Sequence, residues 1–197
     1  MNLSKGKNLL IVGAGLAGST LARIFAENSF NVQILEKRNH IAGNAYDFLN
    51  NNNELIHKYG PHLLHCNKNS EALHFLNRFT DWIPYEHKVR ALLNDGRTTP
   101  LPINMITLMD IFNKKFSNEN EAREFLDKIR NKNLTVTNSD ELFESSVGDQ
   151  LANIFFRPYT RKMWGIEPEN LSVDVGARLP VRINKDVRYF EDNFQAL

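Results

Sequence analysis

Four residues near the N-terminus have the types and spacing to grip a phosphate pair. Gly13, Gly15 and Gly18 stand as Gly-x-Gly-x-x-Gly in LLIVGAGLAG, and Glu36 follows the middle glycine by 21 positions. The first glycine permits a tight strand-to-helix turn, the second lets main chain approach a pyrophosphate, and the third lets the helix lie close on the strand. A helix opening at Leu16 and Ala17 turns its unpaired N–H groups and positive dipole end toward the anion. Glu36 is placed to accept hydrogen bonds from an adenosine ribose. Taken alone, the apolar run after a lysine-containing start also suits the core of a secretion signal. The residues on either side of the glycines favour the phosphate turn. Leu9–Val12 is short, continuous and apolar, as a buried parallel strand is. Leu16, Thr20, Leu21, Ile24 and Phe25 then recur at helical spacing, Asn28-Ser29 ends that helix, and Val32–Leu35 forms a second strand that delivers Glu36.

A second group lies in IFFRPYTRKMWG. Phe155, Phe156, Tyr159 and Trp164 interleave with Arg157, Arg161 and Lys162. Aromatic faces stack on a base and cations meet a diphosphate. Composition alone equally allows an aromatic core patch with solvated basic residues. Arg178 follows Trp164 by fourteen positions in ARLPVR, and a guanidinium fork can bind phosphate oxygens bidentately. Arg182 and Arg188 read as structural or surface arginines. His57, His62 and His65 crowd the segment around the Gly60-Pro61 turn; they are loop histidines or metal ligands, with no cysteine or carboxylate pattern to support a metal. Cys66, the one cysteine, reads as an idle thiol and excludes a disulfide framework within the chain.

The continuation after the acid, Lys37-Arg38-Asn39-His40-Ile41-Ala42-Gly43-Asn44, resembles the FAD-binding fold of the glutathione-reductase and amine-oxidase type. There the small Ala-Gly pair brings the chain back to the cofactor, with Ala42 standing where the pattern usually has a glycine. The blocks EKRNHIAGNAYD, IHKYGPHLLH, PLPIN, RPYTRKMWG and RLPVR with YF resemble, in order, the UDP-galactopyranose mutases, a family of flavoenzymes. The resemblance runs from Leu9 to Phe190. It implies FAD as cofactor, reduced for activity, with Lys37, Arg38, Gly43, Asn44, His62 and Leu63 joining the glycine turn and Glu36 around it. It implies UDP-galactopyranose and UDP-galactofuranose as substrates. Phe155 and Tyr159 then sit against the uridine, Thr160 and Trp164 line the pocket, and Tyr189 belongs to it. Arg178 steadies the leaving diphosphate.

The reaction so implied is a ring contraction without net redox change. The flavin N5 attacks the anomeric carbon, UDP departs, and the flavin–sugar adduct opens and recloses through another hydroxyl. The protein's part is positioning and charge stabilisation, and the flavin's electronics are tuned by neighbours such as His62.

These residues need elements to hold them. Met105, Met109, Phe112 and Phe116 form one helical stripe, with Asn104 as its N-cap. A second helix opens at Ser117 or Asn118 and turns Ala122, Phe125, Leu126 and Ile129 to one side. SDELFESSVGDQLANIFFRPYT adds a third and a possible fourth, and WIPYEHKVRALLNDG one or two strands with a turn at Asn94-Asp95-Gly96. The Asn50–Asn53 run is a polar loop. The expected fold is α/β: a Rossmann-like FAD-binding βαβ domain over 1–103, a helical insertion over 104–170 contributing to the UDP-sugar site, and the start of the return to the sheet over 171–197.

The bulk properties bound the function. The balance of 24 basic and 23 acidic residues gives no support to sequence-independent nucleic-acid binding, which needs a concentrated basic face. No apolar run approaches the roughly 20 residues that span a bilayer, so a cytoplasmic protein is expected. The resemblance puts the family at about twice this length. That leaves open a truncated, non-catalytic fragment, another FAD enzyme of amine-oxidase type, and, as protein partners, a second copy or a missing C-terminal half.

Overall fold

The computed structural model describes residues 6–197; residues 1–5 of the expected nucleotide-binding domain lie outside them. The chain divides into two compact units, Met1–Leu64 with Leu197 and His65–Ala196.

The first unit is built on a βαβ element. β1 (Asn8–Val12) pairs in parallel with β2 (Asn31–Leu35), Asn8 opposite Asn31 and Val12 opposite Leu35. Between them runs α1 (Leu16–Glu27). It stops where the sequence runs out of helix formers: Asn28 turns its side-chain amide back onto the Ile24 carbonyl at 2.8 Å, and Ser29 enters the left-handed region at φ 66°. The strands are parallel as expected but not buried, for Leu10 is 56% and Val12 83% exposed. Parallel strands are buried when helices cover both faces, and among the described residues this sheet has two strands and one crossing helix. A hairpin comes next, β3 (Asp47–Leu49) antiparallel to β4 (Leu55–His57). Its polar loop is closed by Asn50, whose Oδ1 accepts from the amides of Asn52 and Glu54, each at 2.9 Å.

The second unit opens within β5 (Leu64–Cys66), continues through α2 (Glu71–Leu76), and makes a hairpin of β6 (Val89–Leu92) and β7 (Thr98–Leu101). Gly96, at φ 84°, supplies the turn that Asn94-Asp95-Gly96 predicts. Three helices come after it, α3 (Met105–Phe112), α4 (Glu119–Ile129) and α5 (Ser139–Val147). Each is started by an asparagine, Asn104, Asn118 and Asn138, whose side chain accepts from the amide three residues on. At Asn104 the cap is reciprocal, Thr107 answering the Asn104 amide.

Gly148, at φ 81°, ends α5; a Cβ there would come 2.3 Å from the Ile129 carbonyl oxygen. The chain then winds through α6 (Asp149–Leu151), a π-helical turn over Ala152–Phe156, and α7 (Arg157–Trp164). Short helical turns at Pro168–Asn170 and in α8 (Val173–Gly176) precede β8 (Phe194–Ala196). The core of this unit gathers Ile103, Leu108, Phe143, Val147 and Leu151, all fully buried. Phe116 lies beyond the end of α3 yet remains in that core.

Candidate functional site

In the first unit the glycine turn forms a cradle. Gly13, at φ 100°, donates to the Leu35 carbonyl at 2.7 Å, which ties the turn to the tip of β2. A Cβ at Gly18 would stand 1.9 Å from the Gly13 carbonyl oxygen, so the helix can lie this close only with glycine there. The Ala42-Gly43 segment crosses the turn. Ala42 donates to the Ala14 carbonyl at 2.8 Å, and a Cβ on Gly43 would be 3.0 Å from the Gly15 Cα. Both residues take left-handed conformations, φ 70° and 60°, which glycine adopts freely and alanine does not.

The first turn of α1, with Leu16 and Ala17 exposed, has no side-chain cap and no acidic residue, so its amides are unclaimed by side chains. A narrow glycine-walled cradle beneath an uncapped helix start fits a pyrophosphate.

Glu36 closes the opposite side. Its Oε1 accepts from the Arg38 amide at 2.8 Å and its Oε2 from the Ala14 amide at 2.7 Å. These two amides, that of Arg38 foremost, hold its carboxyl below the usual carboxylate range. Each oxygen keeps a further lone pair for a ribose hydroxyl.

Arg38 donates from Nη1 to Asn44 Oδ1 at 2.9 Å, and its guanidinium lies 4.8 Å from the Tyr59 ring centroid. Around it the structure adds residues that sequence reasoning missed: His40 stacks on Tyr46 at 4.0 Å and shares a 2.8 Å hydrogen bond with the Tyr59 hydroxyl. The signal was there in the run of rings and cations near the acid, but their separation in sequence hid it. Lys37 and His62 are exposed and Leu63 is half-buried; the His62 ring lies 6.2 Å from that of His57.

In the second unit a cavity of about 280 Å³ is lined by Tyr159, Thr160, Trp164, Arg178 and Tyr189. Tyr159, Thr160 and Trp164 come from α7, Arg178 from just beyond α8, and Tyr189 from the following loop. The Arg178 guanidinium stands 5.9 Å from the Trp164 ring centroid and is exposed to solvent. Burial, and secondarily the neighbouring Tyr159, push the Tyr189 hydroxyl above its ordinary pKa. Phe155 stands apart from these five: it is 5% exposed and lines a separate cavity beside the β6–β7 hairpin.

Of the cations around the aromatics, Arg157 is engaged by Asp140 and Asp149, and Arg161 by Glu167. Arg182, 6% exposed, is structural: its guanidinium donates to the carbonyls of Arg188 and Tyr189, the latter at 2.9 Å, and so shapes the loop that carries Tyr189. Among the described residues, no cluster of three or more histidine, cysteine or acidic side chains could hold a metal ion, and no helix is long and apolar enough to cross a membrane.

Residues 11–79 match a family of NAD(P)-binding Rossmann-like domains, and residues 154–197 match a family described as UDP-galactopyranose mutase. Over 97% of its length the chain is 36% identical to a probable UDP-galactopyranose mutase of Klebsiella pneumoniae, covering 50% of that protein. It is 35% identical over 96% of its length to a dTDP-fucopyranose mutase of Escherichia coli, again covering 50%. The chain thus spans about half the length of the curated relatives it matches. A crystal structure of reduced UDP-galactopyranose mutase superposes with a TM-score of 0.65 at 22% identity, over 89% of this chain and 37% of that one, which shows the fold.

Proposed function

This chain is a half-length homologue of proteins named UDP-galactopyranose mutase, and on that footing we propose that it carries the FAD site and the UDP-sugar site of such an enzyme. One observation carries the reading. Tyr159, Thr160, Trp164, Arg178 and Tyr189, singled out in sequence for a nucleotide sugar, line one cavity.

In this reading the aromatic rings of Tyr159 and Trp164 hold the uracil end by stacking. Arg178 is free of any carboxylate partner among the described residues, so its guanidinium is available to a diphosphate. It binds the phosphate oxygens and steadies their charge as the sugar–phosphate bond breaks, keeping UDP in place for the return step. Tyr189, with its raised pKa, keeps its phenolic proton at neutral pH and serves as a hydrogen-bond donor inside the cavity.

The glycine cradle supports FAD as the ligand of the first unit. Gly43 lets its segment cross close against Gly15, where a Cβ would be 3.0 Å from the Gly15 Cα. In this reading the pyrophosphate lies against the turn at Gly15, the amides of α1 face it, and Glu36 takes the ribose. When bound and reduced, the flavin supplies an electron-rich ring nitrogen for the anomeric carbon.

The similarity to the dTDP-fucopyranose mutase supports a second reading, in which the same cavity takes a thymidine nucleotide sugar. Titration calorimetry with UDP and with dTDP on the FAD-loaded protein separates the two, and assay of UDP-galactofuranose conversion under dithionite tests the activity. Association with UDP that tightens over dTDP supports the mutase reading. The reverse order supports the second, and absence of both overturns the nucleotide-sugar site.

A further inference from the structure

The widened turn that leads into α7 poses a question: what fixes the direction of the helix that carries Tyr159, Thr160 and Trp164? Pro158 explains why the turn is widened. In an unbroken α-helix its ring would clash with the carbonyl four residues back, that of Ile154, and its missing N–H would leave that carbonyl unpaired. The π turn over Ala152–Phe156 removes the conflict, and the Arg157 amide closes it by donating to the Ala152 carbonyl five residues back. A π turn contains an extra residue, so it rotates everything after it around the helix axis. A slip back to α-helical register would swing the three site residues to another face.

Arg157 is also the residue that ties this junction to the rest of the unit. Its side chain is 11% exposed and lies against Asp140 in the first turn of α5, whose own side chain is 17% exposed. The contact is a two-pronged fork: Nε donates to Asp140 Oδ1, and Nη2 donates to Oδ2 at 3.0 Å. Nη1 donates to Asp149 Oδ1, on the exposed rim of α6. The guanidinium is thereby committed within the protein and not offered to a phosphate. A bidentate arginine–carboxylate pair fixes both distance and orientation, which one hydrogen bond does not.

We infer that the Arg157–Asp140 pair is a positioning clamp: it holds the π turn in register and so sets where Tyr159, Thr160 and Trp164 meet the nucleotide, without touching the nucleotide itself. This rests on the nucleotide-sugar reading for its functional consequence, but the clamp has a readout that needs no ligand. In a Trp82→Phe background Trp164 is the only tryptophan, and its emission reports the setting of α7.

The experiment compares Arg157→Met, Asp140→Asn, the double variant and Arg157→Lys in that background. The clamp predicts that both single variants shift Trp164 emission and weaken UDP association about tenfold, while the double variant is no worse than the poorer single, as for two residues acting as a unit. Arg157→Lys, which keeps the charge but not the fork, falls between. FAD association stays unchanged throughout and the far-ultraviolet circular dichroism spectrum matches the parent's, which a general loss of folding in either unit would not allow. Should Arg157→Met lose FAD as well, Arg157→Lys and Asp140→Asn decide. The clamp is overturned by wild-type emission and UDP affinity in the single variants, or by losses that multiply in the double. If the parent protein binds neither UDP nor dTDP, the nucleotide-sugar reading fails on its own, and the emission shifts still judge the clamp.

Discussion

The main-chain amide of Ala14 donates to Glu36 Oε2 at 2.7 Å, joining the glycine turn to an acid 22 positions later in the chain. The carboxylate holds the turn closed, and in the proposed FAD site it has a second duty, presenting lone pairs to a ribose. Glu36→Gln keeps the shape but replaces one acceptor oxygen by an NH₂ that faces a donor. We expect FAD association to weaken about tenfold, in the range of a lost hydrogen bond to a charged group. Calorimetric titration of the variant against the parent measures it.

Asn104 has two tasks as well. Its Oδ1 caps α3 by accepting from the Thr107 amide at 3.1 Å, and its Nδ2 donates to the Asp186 carbonyl at 2.8 Å, at the base of the loop that carries Tyr189. The residue is fully buried. Asn104→Ala removes a cap and leaves buried polar groups without partners, a loss of about 2–3 kcal/mol in folding stability. Chemical denaturation followed by far-ultraviolet circular dichroism should show it as a lower midpoint.

The same loop provides a pH dependence. The Arg188 guanidinium, donating from Nη2 at 2.7 Å, holds the Asp186 carboxyl down to about 2, from an ordinary value of 3.8. A carboxyl whose folded-state pKa is depressed stabilises the fold fully above its unfolded value. That contribution fades as the pH falls from about 4 toward 2. Asp186→Asn is expected to flatten the decline of melting temperature across that window while leaving the curve above pH 5 parallel to that of the parent.

Arg178→Lys retains the positive charge and loses the fork. If the guanidinium binds a diphosphate bidentately, UDP association falls about tenfold, whereas uridine, which has no phosphate, binds as before. A drop of equal size for uridine would place Arg178 in the scaffold rather than at the diphosphate.

Local signals in the sequence lead to the right elements wherever the physics is local. The glycine spacing, the end of α1 at Asn28, and the caps of α3 and α4 at Asn104 and Asn118 each depend on residues within a turn or two, and each is found in the structure. The exposed faces of β1 were not foreseen, because an apolar strand says what it could bury against and not whether a cover is present. The π turn was not legible either. Pro158 signals a disturbance, but a kink, a helix break and a widened turn all satisfy it. The partners of Arg157 lie 17 and 8 positions away in sequence, and nothing in RPYTRKMWG distinguishes an arginine meant for Asp140 from one meant for a phosphate. Phe155 shows the same limit: an aromatic next to the site in sequence faces a different cavity in the fold.

The seating of a dinucleotide at the glycine turn is tested most directly by titrating FAD into the parent protein and into Gly15→Ala. Gly15 has an ordinary φ of −78°, and a Cβ there finds its nearest neighbour at 3.8 Å, the Gly43 Cα, so the fold should accept the methyl group. If a pyrophosphate occupies the cradle as proposed, the methyl would stand in its way. One-to-one association with the parent, lost in Gly15→Ala at an unchanged melting temperature, is the predicted result. Equal association with both proteins, or none with a folded parent, would contradict it.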